Sequence, residues 1–268
     1  MTNEDAVSDH LTLLKLNGWC ALENIIPAQE VENIRNSVLQ TVEEYRRDSA
    51  AENIGFVPGL ISQNQSFAPY LADSRLMSLL DEMLGHDIRI SFTSAIVNEP
   101  DNERGHWHAD WPFNQSNAGH VPAPYPDALF HITTLWMLSP FSDENGGTLI
   151  VPGSHRSNNN PTGNNGIDAH ANVPGEMNAT GSAGSVLVMD SRLWHATAPN
   201  HTNEPRVALA IRYAPWWLNL DILMPESAER KHMVDRQNRK ENEVPHVPQM
   251  VYDQLPEDVK PLYRHWVR

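Results

Sequence analysis

The hydrophobic pattern of this chain changes at Gly85, and that change constrains the fold more than any other feature of the sequence. Five runs rich in apolar and β-branched residues follow it, bounded by clusters of Pro, Gly and Asn, which is the pattern of β-strands. Because helical spacing is missing between these runs, they predict an antiparallel sandwich or jelly roll. The runs are residues 88–97, 129–138, 148–152, 185–190 and 206–214.

The residues before Gly85 have the spacing of helices. Pro27 is well placed to open one helix, and Asp73 to cap a second helix that Gly85 ends. A weaker helix is expected over residues 4–16. The apolar positions at helical spacing are Val31, Ile34, Val38, Val42 and Tyr45 in the first helix and Leu76, Leu79, Leu80, Met83 and Leu84 in the second.

We expect one domain over residues 1–268. Residues 1–85 form its mainly helical part, 86–215 a β core with a mobile variable loop at 156–183, and 216–268 a C-terminal segment. The charged stretch 226–242 is expected to be a solvated helix. Two aromatic residues near the end of the chain, Tyr263 and Trp266, are expected to hold the tail against the core.

Composition narrows the class of partner. With 34 acidic and 19 basic residues, the net charge of −15 argues against binding nucleic acid or an anionic membrane surface. A single cysteine, Cys20, excludes an intrachain disulfide and a cysteine zinc site. The acidic start of the chain has no apolar signal segment, and no run approaches the length of a membrane span. We therefore expect a cytoplasmic protein with a small-molecule partner, whose oligomeric state stays open.

One pair of residues has the spacing of a metal site. His108 and Asp110, in GHWHADWPFN, project to the same face of an extended strand with roughly 7 Å between their Cα atoms. A His-x-Asp pair alone is more often structural, so the hypothesis needs a second imidazole. His195 is the best candidate, since it follows the strand 185–190 and a short turn. Two imidazoles and one carboxylate with open coordination positions suit Fe(II) and oxygen chemistry. The rival imidazoles are His106, His120, His131 and His155.

A basic residue opens the last strand. Arg206 precedes VALAIRYA, and an arginine that points into a barrel has to pair with an anion. The anion is either a protein carboxylate or a small dicarboxylate, which arginine binds with two parallel hydrogen bonds. Thr197, two residues past His195, is placed to donate its hydroxyl to the same carboxylate.

Three blocks in order, WHADWP, ENGGTLIVPGSHR at 144–156 and LWHATAPNHTNEPR at 193–206, resemble the phytanoyl-CoA dioxygenase-like proteins over roughly residues 85–215. The resemblance implies a double-stranded β-helix with the N-terminal helices packed against it. It implies His108, Asp110 and His195 as Fe(II) ligands, Arg206 and Thr197 as the site for the distal carboxylate of 2-oxoglutarate, and O2 as the oxidant. The implied reaction is oxidation, by preference hydroxylation, of an unactivated C–H of a small soluble metabolite, with release of succinate and CO2.

Aromatic side chains near the motif are expected to line the substrate cavity. The predicted substrate contacts are Trp111, Phe113, Asn114, His131 and Trp216, with Trp136 and Trp217 as further aromatic candidates. Two other functions stay open at this point. One is a zinc hydrolase that uses the same three ligands, and the other is a jelly-roll module that binds a metal or small molecule without catalysis.

Overall fold

The computed structural model describes residues 3–47, 51–163 and 167–268, and nine β-strands are assigned within these ranges. The strands are β1 Trp19–Leu22, β2 Ile54–Pro58, β3 Arg89–Asn98, β4 Ile132–Met137, β5 Leu149–Ile150, β6 Met177–Asn178, β7 Val186–Asp190, β8 His195–Ala196 and β9 Arg206–Ala214. The α-helices are α1 Asn3–Asn17, α2 Ala28–Tyr45, α3 Ser74–Leu84, α4 Ala228–Met233, α5 Gln249–Gln254 and α6 Lys260–Tyr263.

All three helices expected before Gly85 are confirmed. Pro27 directly precedes α2, and the carboxylate of Asp73 accepts hydrogen bonds from the backbone N–H groups of Arg75 and Leu76 at the start of α3. Gly85, with φ of 79°, ends α3 in a conformation that favours glycine. The apolar stripes of α2 and α3 face the core. The exception is Tyr45, the last residue of α2, which is exposed.

Six antiparallel strands form the larger sheet, in the order β1-β7-β4-β9-β3-β2. The four central strands are those predicted from the apolar runs. The two edge strands, β1 and β2, come from the part of the chain that was predicted to be mainly helical. Both are only four or five residues long, which is too short for their alternation to stand out between the helices around them.

A smaller sheet of three antiparallel strands, in the order β6-β5-β8, lies opposite the larger one. Strand β6 falls inside the stretch 156–183 that was predicted to be a variable loop. That prediction needs correction at its C-terminal end, because β6 pairs with β5 and Gly181 forms a β-bridge with Phe141. Residues 164–166 of the same stretch lie outside the described residues.

The core has two layers because side chains alternate along each central strand. On β9, Val207, Leu209 and Ile211 face the helices, whereas Ala208 and Ala210 face the smaller sheet. The small alanine side chains leave space between the two sheets. The mainly β architecture with helices on one face is therefore as expected, and its inner face holds the candidate site.

The C-terminal segment departs from its prediction in one respect. Within 226–242 the structure has the short helix α4 and a single 3-10 turn over Asp235–Gln237. Arg230 is buried and donates to the backbone carbonyl of Asn242 at 2.7 Å. The expected continuous helix is therefore wrong, although most of the stretch is exposed as expected. The tail is held as expected, since Trp266 donates its indole N–H to the carbonyl of Ile90 and Tyr263 is buried. None of the helices in the described ranges is both long enough and apolar enough to cross a bilayer.

Candidate metal centre

Backbone pairing brings together two segments that are far apart in sequence. His108 and His195 form an antiparallel bridge in which each backbone N–H donates to the carbonyl of the other, at 3.0 Å in both directions. The backbone N–H of Asp110 donates to the carbonyl of Ser191 at 2.8 Å and extends this pairing. Because His108 and Asp110 are two residues apart, all three side chains point into the space between the sheets.

The three side chains form a compact donor group. One donor atom from each of His108, Asp110 and His195 lies within 4.8 Å of the others. Nδ1 of His108 lies 3.0 Å from the carbonyl of His106, and Nδ1 of His195 lies 2.9 Å from the carbonyl of Leu193. A carbonyl only accepts, so each Nδ1 carries the proton and each Nε2 keeps a free lone pair. This is how metal-binding imidazoles are oriented in proteins.

Electrostatics keep the group ready for a cation. Burial, together with the nearby His195, lowers the pKa of His108 to about 3, so its imidazole is neutral. Burial by itself would raise the pKa of Asp110, but the positive charge of Arg212 acts against it, and that pKa lies below its usual range. Two imidazoles that both turn Nδ1 toward a backbone carbonyl, together with one buried carboxylate, match the donor set of a divalent transition metal.

The rival imidazoles lie elsewhere. The ring of His106 is exposed, with its centroid 5.3 Å from that of His108, and it is outside the three-residue donor group. His131 is buried between the hydroxyls of Ser91 and Ser191, with its ring nitrogens 2.6 and 2.8 Å from the two oxygens. His120 and His155 also lie outside the donor group. The structure therefore brings together the three residues singled out from the sequence.

Arg206 reaches the same cavity from strand β9. Its side chain is buried, its guanidinium lies 4.7 Å above the ring of Phe141, and its Nε has no hydrogen-bond partner. Within the described ranges no carboxylate lies within salt-bridge distance of it, and burial lowers its pKa to about 9. A buried cation without a counter-ion is costly, so the site fits a bound anion.

The cavity between the donor group and Arg206 has a volume of about 110 Å³. Thr197, which directly follows strand β8, is one of the residues that line it. The other lining residues are Ile96, Thr133, Leu135, Thr148, Ala196, Ala210 and Arg212, together with His108, Asp110, His195 and Arg206.

Sequence reasoning missed two residues that contact Asp110. Arg212 donates to its Oδ1 at 2.5 Å, and Thr133 donates to its Oδ2 at 2.6 Å. The signal for Arg212 was present, because it lies six residues after Arg206 on the same strand and so on the same face. The signal for Thr133 depends on which strand lies opposite Asp110, which the sequence does not show.

The predicted substrate contacts are scattered around this cavity rather than lining it. Trp111 and Phe113 are buried, with Trp111 packed edge-on against His131 at 5.4 Å between centroids. The Asn114 side-chain carbonyl accepts from the backbone N–H and hydroxyl of Ser116, and Trp216 is exposed. Trp136 is buried in the core layer between the larger sheet and the helices. Apart from the imidazoles of His108 and His195, the cavity lining is aliphatic and polar, and the role of the predicted residues as substrate contacts stays a prediction.

Two antiparallel sheets that enclose a largely buried His-Asp-His group and an arginine without a counter-ion define a metal-dependent oxygenase of the 2-oxoglutarate type. Comparison with known proteins agrees with this class. The family model described as phytanoyl-CoA dioxygenase (PhyH) matches residues 14–208, and the chain belongs to that family. The chain is accordingly a dioxygenase, as the sequence motifs predicted.

Individual relatives carry similar names. An ectoine dioxygenase of Nocardia farcinica is 26% identical over 230 residues, which covers 74% of each chain. The dioxygenase af480 of Aspergillus fumigatus is 31% identical over 144 residues, covering 53% of this chain and 42% of the relative. A crystal structure of HygX from Streptomyces hygroscopicus, with nickel, 2-oxoglutarate and hygromycin B bound, superposes with a TM-score of 0.65. It covers 88% of this chain and 95% of HygX at 19% identity, and so shows a shared fold.

Proposed function

We propose that this protein is an Fe(II)- and 2-oxoglutarate-dependent dioxygenase that hydroxylates a C–H bond of a small soluble metabolite and releases succinate and CO2. The observation that carries the proposal is the pairing of two features in one cavity. At one end stands the donor group of His108, Asp110 and His195, and at the other stands the buried, unpartnered guanidinium of Arg206. We assign the two sheets as the two halves of a double-stranded β-helix.

The three donor residues would hold Fe(II) through two imidazole nitrogens and one carboxylate. Bound there together with 2-oxoglutarate, the iron would supply the activation of O2 and the oxidising power. The protein's own contribution is orientation. The carbonyls of His106 and Leu193 fix the protonation of the two imidazoles, so that both lone pairs face the metal position.

Arg206 would bind the distal carboxylate of 2-oxoglutarate. Its guanidinium is a planar donor that matches a carboxylate with two parallel hydrogen bonds. Thr197 lines the same cavity and would add a hydroxyl donor. The aliphatic side chains of Ile96, Leu135 and Ala210 exclude water from this space, which strengthens the ionic contact.

For the substrate we propose a small molecule that approaches the donor group from solvent. His106 is exposed beside His108 and marks that side of the site. Of the predicted contacts, Trp216 lies at the surface and can meet a ligand without rearrangement. The roles of Trp111, Phe113, Asn114 and His131 as substrate contacts stay predictions.

The test begins with the protein freed of metal and kept anaerobic. Fe(II) and 2-oxoglutarate together should produce a weak visible charge-transfer band, which Arg206→Met should abolish while Fe(II) still binds. When air and a pool of small metabolites are then added, the protein should convert 2-oxoglutarate to succinate. If the band is missing and zinc supports hydrolysis instead, the protein is a zinc hydrolase. If iron and 2-oxoglutarate bind but no metabolite raises succinate release, it is a binding module.

A further inference from the structure

Both carboxylate oxygens of Asp110 are already engaged by the protein. Arg212 Nη2 lies 2.5 Å from Oδ1, and Thr133 Oγ1 lies 2.6 Å from Oδ2. The carboxylate itself is buried, with 3% of its side chain exposed. Of the two oxygens, Oδ2 is the one near the candidate metal position, 3.6 Å from Nε2 of His195. Arg212 therefore occupies the oxygen that lies away from the candidate metal position, and Thr133 occupies the oxygen beside it.

The hydroxyl of Thr133 is the end of a buried chain of polar side chains. Its oxygen lies 3.0 Å from Ser191 Oγ, which lies 2.8 Å from Nδ1 of His131, whose Nε2 lies 2.6 Å from Ser91 Oγ. All four side chains are almost completely buried. A hydrogen-bonded series of four polar side chains is not needed to fill the core, since apolar side chains would fill it with a smaller desolvation penalty.

The proton positions along these hydrogen bonds follow from the carboxylate of Asp110, which can only accept. Asp110 accepts, so Thr133 gives it its only hydroxyl proton and must accept from Ser191. Ser191 in turn accepts from Nδ1–H of His131, which leaves Nε2 to accept from Ser91. This order requires a neutral imidazole, and burial, with Arg212 nearby, lowers the pKa of His131 to about 3. Every donor in the chain therefore points toward Asp110.

We propose that Arg212 and the chain from Thr133 to His131 are positioning residues that present Asp110 to the metal through Oδ2 alone. The inference rests on the proposed function, because it concerns the same site. The guanidinium of Arg212 holds Oδ1 away from the metal position and neutralises the charge on that oxygen. Thr133 keeps one lone pair of Oδ2 occupied and fixes the direction of the other.

A one-oxygen contact matters for the chemistry. A metal held by these three residues would need free positions for a chelating 2-oxo acid and for O2. A second contact from Asp110 would remove one of these positions. The arrangement also gives His131 a role away from the substrate, in orienting Ser191 and Thr133.

The first test uses Co(II) alone, titrated into the metal-free protein and followed by its visible absorption. Thr133→Val removes the hydroxyl at constant volume and should weaken Co(II) binding by about 10- to 100-fold, as is typical for loss of a partner that orients a ligand. Thr133→Ser restores the hydroxyl and should restore the affinity. Equal affinity in Thr133→Val and wild type would overturn the role of the chain.

The second test concerns Arg212. A crystal structure of the Co(II)-loaded wild type should show one oxygen of Asp110 on the metal, and Arg212→Gln should show two. The Gln variant should bind Co(II) at least as tightly as wild type, while 2-oxoglutarate binds the Co(II)-loaded variant about tenfold more weakly, in the range of a lost orienting partner. Two Asp110 oxygens on the metal in wild type would refute the proposal even if the variant fails to fold.

These measurements distinguish a failure of the proposed function from a failure of the inference about Asp110. If wild type binds Co(II) but not 2-oxoglutarate, the dioxygenase assignment fails, while the Thr133 series and the Co(II)-loaded structure still decide the inference. If wild type fails to bind Co(II), the metal site itself is wrong and both fall.

Discussion

His108 and His195 are partners in a hydrogen-bonded antiparallel bridge, and their rings lie 4.3 Å apart between centroids. Two candidate metal ligands are thus placed by the backbone itself rather than by long, flexible side chains. The reciprocal bonds, at 3.0 Å each, hold the two imidazoles on one face of the smaller sheet. A site built in this way is preformed, so metal binding should need little rearrangement of the chain.

The first prediction follows from this rigidity. His108→Ala should weaken Fe(II) binding by more than the roughly 10- to 100-fold that loss of an orienting partner causes, because a ligand itself is removed. Anaerobic titration with Fe(II) and calorimetry would measure it. The matched control is His106→Ala, which removes a neighbouring imidazole that lies outside the donor group. If the two variants lose affinity equally, the ligand assignment is wrong.

Much of the fold could be read from the sequence because long apolar runs have few explanations. The strands β3, β4, β7 and β9 and the helices α2 and α3 all carry their signal in their own residues. Strands β1, β2 and β6 do not, since they are two to five residues long and depend on pairing with β7, β3 and β5. Pairing between distant segments is a tertiary property that local spacing does not contain.

The candidate site divides along the same line. His108 and Asp110 share a strand face, and the alternation of β9 marks Arg206 and equally Arg212, so these could be found by spacing. Thr133 could not, because its contact with Asp110 depends on how β4 lies against the segment that carries the metal pair. For a similar reason, the predicted aromatic substrate contacts do not line the cavity between the donor group and Arg206. Being close to a motif in sequence does not determine which side of the strand a ring occupies.

A second prediction concerns the anchoring of the C-terminal tail. Trp266 is fully buried and donates its indole N–H to the carbonyl of Ile90. Trp266→Ala should therefore destabilise the protein by about 3–5 kcal/mol, the usual cost of truncating a buried aromatic residue. Urea denaturation would measure the free energy of unfolding. The control is Trp216→Ala at an exposed position, which should change that free energy by less than about 0.5 kcal/mol. Similar losses in both variants would contradict the packing described for the tail.

A third prediction separates stability from function at Arg206. Its buried guanidinium has an unpartnered Nε and lies in a cavity that fits an anion. Arg206→Met should stabilise the ligand-free protein by about 1–4 kcal/mol, as replacement of buried charges by apolar residues often does. Thermal unfolding should show a higher midpoint for the variant. In nickel-loaded protein, 2-oxoglutarate should raise the midpoint of wild type but not of Arg206→Met. A variant that is less stable and still responds to 2-oxoglutarate would show that Arg206 has a structural role only.

The fourth prediction is a pH dependence with a defined sign. Burial lowers the pKa of Arg206 from 12.5 to about 9 in the ligand-free protein. Below that pH the guanidinium is charged and ready to pair with a carboxylate, so the affinity for 2-oxoglutarate should be level there. Above it the empty site loses its proton, and binding has to take one up. The affinity should then fall about tenfold for each pH unit, the slope for linkage to one proton.

Calorimetric titration of 2-oxoglutarate into the nickel-loaded protein between pH 7 and 10 would measure this slope. 2-Oxobutyrate is the matched control ligand, because it has the same 2-oxo acid group and lacks the distal carboxylate that Arg206 would bind. Since its binding does not use the guanidinium, its affinity should not show the additional loss above pH 9. If both ligands follow the same pH profile, the titrating group belongs to the metal end of the cavity, and Arg206 does not hold the distal carboxylate.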